Sequence, residues 1–67
     1  MVKFDLNGEP CEVEEPLTVR DLLVRFDLVR GRVAVAINGD VVPRSSFDER
    51  NIQAGDRVEV IHAVGGG

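Results

Sequence analysis

Three glycines, Gly65, Gly66 and Gly67, follow directly on a strand-like pattern in the segment VEVIHAVGGG. Glycine loses more backbone entropy on ordering than any other residue, so a glycine run anchors a terminus poorly. The same lack of Cβ atoms lets a backbone thread a narrow channel, and three extended residues reach about 10 Å. The group so delivered is the carboxylate of Gly67. A carboxylate is a poor electrophile because its oxygen leaves badly. Joined to AMP from ATP, it becomes a mixed anhydride that a sulfur or nitrogen nucleophile can attack. The other reading of these glycines is an inert, frayed end.

Elsewhere the residue types that do chemistry are scattered. His62 is the only histidine and has no partner of the kind a nucleophile or a metal needs, so it reads as a residue near the surface of the last strand. Cys11 stands beside Glu12, a neighbourhood unsuited to a nucleophilic thiolate, and reads as a semi-buried structural thiol. Arg20, Arg25, Arg30 and Arg32 form either a solvated helix face and its exit or a partner contact. No glycine loop is long enough to cradle a phosphate. An enzyme is not expected, and neither is a metal site.

The elements that must hold such a tail are legible from periodicity. VKFDL alternates, with Val2, Phe4 and Leu6 on one side, and Asn7-Gly8 supplies the positive φ angles of a tight hairpin. The return strand PCEVEE is expected at a sheet edge, because Pro10 cannot donate to a ladder. In PLTVRDLLVRFDL the apolar residues Val19, Leu22, Leu23 and Phe26 make a helical stripe. Thr18 and Asp21 are spaced for an approximate capping box, Asp21 and Arg25 for an ion pair, and Gly31 for the stop.

RVAVAIN is apolar on both sides, which predicts either two covered faces or a smooth exposed patch. Asn38-Gly39 makes a second turn into DVVP. SSFDERNI reads as one irregular helical turn, with Ser46 and Glu49 at capping spacing. QAGD then turns the chain into the last strand, RVEVIHAV. Parity puts Val58 and Val60 on the helix-covered face, and Glu59, Ile61 and Ala63 on the open one. One helix on one mixed sheet is a two-layer α+β domain. Residues 1–64 are expected to form it, with residues 65–67 as a flexible glycine tail.

Composition narrows the partners. Sixty-seven residues make one small domain, and 43% hydrophobic against 30% charged residues suits a folded chain rather than a disordered one. Three Phe without Trp or Tyr leave little for a deep aromatic pocket. A net charge of −4 disfavours nucleic acid and anionic membrane and suits a partner with a basic face. The single cysteine excludes an internal disulfide, which fits a cytoplasmic protein, and MVKFDLNGEP has no long apolar run for a signal peptide or span.

Two blocks, VAINGDVVPRS (residues 35–45) and AGDRVEVIHAVGGG (residues 54–67), carry a resemblance across essentially the whole chain. The sequence resembles the ubiquitin-like β-grasp proteins and, more narrowly, the sulfur carriers of thiamine biosynthesis, the ThiS family. It departs from the commoner pattern at Phe47, where a Trp often follows PRS. The resemblance implies an E1-like enzyme that adenylates Gly67, and a cysteine desulfurase or sulfurtransferase that supplies sulfur. The resulting thiocarboxylate would be consumed by thiazole synthase. No cofactor stays bound, since AMP and sulfur reside on Gly67 only transiently, and Gly66 and Gly67 are the functional positions.

The residues themselves add a docking surface: Ile61 and Ala63 on the open face, with Val64 leading into Gly65 and Gly66. An isolated exposed isoleucine is the plainer account of Ile61. Three other functions stay open. The small subunit of molybdopterin synthase uses the same tail chemistry in longer chains, with helical material inserted after the helix. A carrier for tRNA thiolation or protein tagging would also share the tail. A plain β-grasp interaction module would not use its glycines at all.

Overall fold

The computed structural model describes residues 1–28 and 32–62. The expected tail of residues 65–67, its boundary with residues 1–64, and Ala63, Val64, Arg30 and Gly31 lie outside the described residues. Five strands and one α-helix follow in the order β1 (Val2–Leu6), β2 (Glu9–Val13), α1 (Val19–Arg25), β3 (Val33–Ile37), β4 (Asp40–Val42) and β5 (Arg57–His62), with a 3₁₀ turn at Arg44–Ser46. The sheet order is β2-β1-β5-β3-β4. β1 and β5 run parallel, and the other pairs are antiparallel. This is the expected two-layer α+β arrangement, with β2 at an edge and Pro10 in it.

The alternation of β1 becomes strict burial of Val2, Phe4 and Leu6. Cys11 lies opposite Phe4 and packs, half-buried, against the core, as its semi-buried reading requires. Both Asn-Gly turns have positive φ at both residues, 51° and 86° at Asn7-Gly8, 54° and 88° at Asn38-Gly39. These are the angles that match the right-handed twist of a two-residue hairpin.

The capping box at α1 forms in full. Asp21 N–H donates to Thr18 Oγ1 at 3.1 Å, and Thr18 N–H donates to Asp21 Oδ2 at 3.2 Å. That use of the Asp21 carboxylate replaces the expected pair with Arg25; the ion pairs among the described residues are Met1–Glu15 and Arg20–Asp48. The remaining first-turn donors are met by the segment before β5, where Val19 N–H reaches Arg50 C=O at 2.9 Å and Arg20 N–H reaches Phe47 C=O at 3.0 Å. A seven-residue helix would be marginal alone and is held by this loop and by burial of Val19, Leu22 and Leu23.

The helix ends earlier than the Gly31 stop predicts. Asp27 takes φ 56°, its N–H donates to Val24 C=O at 3.2 Å, and Leu28 N–H donates to Leu23 C=O at 2.7 Å. That is a Schellman ending with aspartate in the left-handed position, which its short polar side chain tolerates. The early stop also corrects the apolar stripe. Phe26 becomes the C-cap, leaves the helical path and is 38% exposed, while Leu28 packs on the core in its place.

Two further expectations shift. The helical turn after β4 starts at Arg44, and Ser46 caps with its backbone: its carbonyl accepts from Glu49 N–H at 3.0 Å and Arg50 N–H at 2.8 Å. Phe47 is buried in the core, so the departure from Trp is one of packing. In β3, Val35 and Ile37 are buried and Val33 packs against the core, while Ala34 is exposed on the other side. Of the two predicted outcomes for that strand, the smooth exposed patch is the one observed. No helix among the described residues is long and apolar enough to cross a membrane.

Candidate functional site

The strand that leads toward the glycines is central in the sheet, flanked by β1 and β3. Val58 and Val60 are buried beneath α1, and Glu59 and Ile61 are exposed, as parity predicts. Of the predicted site residues, Ile61 is thus placed on the open face. Ala63, Val64, Gly65, Gly66 and Gly67 lie outside the described residues.

Ile61 does not stand alone. It pairs with Ala34 across the β3–β5 ladder, and Ala36 pairs with Val41 across β3–β4. Ile61 is 61% exposed and Val41 76%. Together with Ala34 and half-buried Ala36 they make an apolar strip across three strands, with Glu59 beside Ala36 at its margin. A shallow depression of about 170 Å³ opens beside it, lined by Arg32, Val33, Ala34 and Ile61. Val41 and the two alanines are additions to the site; the double-sided apolarity of RVAVAIN signalled the alanines without assigning them to it, and Val41 lies in the next strand.

Three polar residues hold β5 in place, and periodicity missed all of them. Asp56 is buried just ahead of the strand; its carboxylate accepts from Asn38 Nδ2 at 3.0 Å and from Gln53 N–H at 2.8 Å. Asn38 Oδ1 in turn accepts from Arg57 N–H at 2.9 Å. On the opposite flank, Asn7 Oδ1 accepts from Val60 N–H at 2.9 Å. Each Asn-Gly turn therefore serves twice, once through its φ angles and once through an amide that grips β5. An acidic residue directly before a buried strand, as in AGDRVEV, is the one sequence signal that could have pointed here.

His62 is exposed at the end of β5, and the described residues contain no group of three His, Cys, Asp or Glu side chains that could hold a metal. Of the described arginines in the predicted group, Arg20 Nε donates to Asp48 Oδ1 at 2.7 Å, tying the helix to a later loop, whereas Arg25 and Arg32 are exposed.

A mixed five-stranded sheet with a parallel β1–β5 centre, one helix across one face and a last strand leading to a glycine end defines a ubiquitin-like β-grasp protein. The ThiS family model matches residues 4–67, and the chain belongs to that family. The crystal structure of the thiamine biosynthesis protein ThiS from Geobacter metallireducens superposes with a TM-score of 0.84 at 35% identity, covering 98% of this chain and all of that one. The Escherichia coli sulfur carrier protein ThiS is 34% identical over 91% of this chain and 92% of its own length. A thiazole synthase of Magnetococcus marinus is 38% identical over 98% of this chain, which spans 20% of that protein's length.

Proposed function

We propose that this chain is a sulfur carrier of thiamine biosynthesis whose working group is the carboxylate of Gly67. The observation that carries the reading is the family match, which runs from the first strand through the glycine end. The fold supports it, because β5 is fixed on both flanks and leads out of a small globule toward that end.

In this cycle an E1-like enzyme joins the Gly67 carboxylate to AMP. Sulfur drawn from cysteine by a desulfurase or sulfurtransferase then displaces the nucleotide. The product, a C-terminal thiocarboxylate, is a soft sulfur nucleophile, and thiazole synthase consumes it. The chain is a co-substrate and not a catalyst, it binds no resident cofactor, and it works in the cytoplasm. Glycines at 65–67 fit a channel that side chains would block. The apolar strip of Ile61, Ala34 and Val41 is the docking surface, and the sequence assigns Ala63 and Val64 to it as well. Thiazole synthase is preferred to a pterin-forming acceptor on two grounds. A stretch like this chain occurs within a protein of that name, and the sequence leaves only seven residues, 26–32, between α1 and β3, without room for a long insertion.

Intact-protein mass spectrometry tests the reading after incubation with the adenylating enzyme, ATP and a sulfur source. The chain should gain the mass difference of one sulfur for one oxygen. Deleting Gly67 should abolish the gain and leave the circular dichroism spectrum unchanged. A truncated chain that still acquires sulfur would move the carrier role to Cys11 and end the proposal.

A further inference from the structure

The two neighbours of β5 are equally long but pair with it over unequal lengths. β3 pairs with it from Val33↔His62 to Ile37↔Val58, whereas β1 pairs only at Asp5↔Arg57 and Leu6↔Val58. Past Leu6 the Asn7-Gly8 turn carries the chain away into β2, and the Asn7 amide stands in for a strand by accepting from Val60 N–H. The phase of the ladder decides what comes next. Asn38 N–H donates to Arg57 C=O at 2.8 Å, so the main-chain groups of residues 57, 59 and 61 point toward β3. Asn7 N–H donates to Val58 C=O at 2.8 Å, so those of residues 58, 60 and 62 point the other way. Val60 C=O and His62 N–H therefore face the side that β1 has left, an open slot along β5 with no hydrogen-bond partner for them among the described residues.

An unpaired strand edge is a template for another extended chain. We propose that the adenylating enzyme fills this slot with an extended segment of its own, hydrogen-bonded to Val60 C=O and His62 N–H. This rests on the carrier reading above. An enzyme that holds the Gly67 carboxylate must lie along the course of β5, and the slot opens beside that same strand just where β1 leaves it. The depression next to it, around the Asn7-Gly8 turn, is lined by two carboxylates, Asp5 and Glu59, and one guanidinium, Arg57, in a chain of net charge −4. The entering segment is therefore one that carries lysine or arginine. A second copy of this chain fits less well: it would be as acidic as the first, and two main-chain groups fall far short of what holds a stable dimer.

The test compares His62→Pro, which removes the N–H facing the slot, with His62→Ala, which keeps it. In an adenylation assay His62→Pro should raise KM for the carrier about tenfold with kcat nearly unchanged, the size of one lost main-chain hydrogen bond. His62→Ala should stay within about twofold, because the recognition is by backbone. Hydrogen exchange on the wild type adds a reading that needs no variant to fold: the His62 amide should slow about a hundredfold in the complex. A wild type that is adenylated normally while His62→Pro, folded by circular dichroism, keeps its KM would overturn the proposal. So would a His62 amide that exchanges as fast in the complex as outside it. A free chain that sediments as a dimer dissolved by His62→Pro would assign the slot to a second copy instead. A wild type that is never adenylated would sink the carrier reading, and this inference with it.

Discussion

Val60 and Ile61 are consecutive apolar residues on one strand, yet one is 7% exposed and the other 61%. The first belongs to the face that α1 covers, where Val58, Val35, Ile37, Leu22 and Leu23 close the core. The second belongs to a face that nothing among the described residues covers. A domain this small has one helix and can seal one side of its sheet. What it does with the other side is then free to be set by partners: four small or branched apolar residues in a strip, with Glu59 beside them. The covered face answers to stability and the open face, in the proposed reading, to association, and the boundary between them runs along single strands with period two.

Substitutions on the covered face should break this contrast most visibly. Leu22→Ala empties a side chain that is 0% exposed, and urea titration should show a loss of about 2–5 kcal/mol. Removing the buried carboxylate with Asp56→Ala leaves Asn38 Nδ2 and Gln53 N–H without their acceptor, at a cost of about 1–3 kcal/mol by the same measurement. On the open face, Ile61→Asp should shift stability by no more than about 0.5 kcal/mol while weakening binding to the adenylating enzyme roughly tenfold by calorimetry. A native thermal midpoint with unchanged affinity would remove the strip from the docking surface. The smallest effect is expected at the helix start, where Thr18→Ala deletes one half of the capping box and should cost about 1 kcal/mol.

The two Asn-Gly turns show how much of this was legible. Each announced itself as a hairpin because only a few residue types accept two successive positive φ angles, and both hairpins are present. Neither announced that its amide would reach β5, since Asn7 and Val60 are 53 positions apart, and Asn38 meets Asp56 18 positions on. Helix start and helix end differ in the same way. The capping box is local, involves residues three apart and was readable. The stop at Asp27 depended on Leu28 finding the core, and Gly31 was the wrong guide. For the site, Ile61 was placed correctly by parity, but its companions Ala34 and Val41 come from other strands and needed the register to be seen together.

Sequence alone determined the elements, their buried faces and the glycine end, because each of these follows from spacing within a few residues: period two, period 3.6 and the missing Cβ. Only the tertiary structure decided which strand lies beside which, and with it the strip of Ile61, Ala34 and Val41, the grip of two turn amides on β5, and the vacant edge at Val60 and His62. Those depend on a parallel β1–β5 pair that ends after two residues, and pairing between distant segments is set by how the whole core closes, which no local pattern encodes.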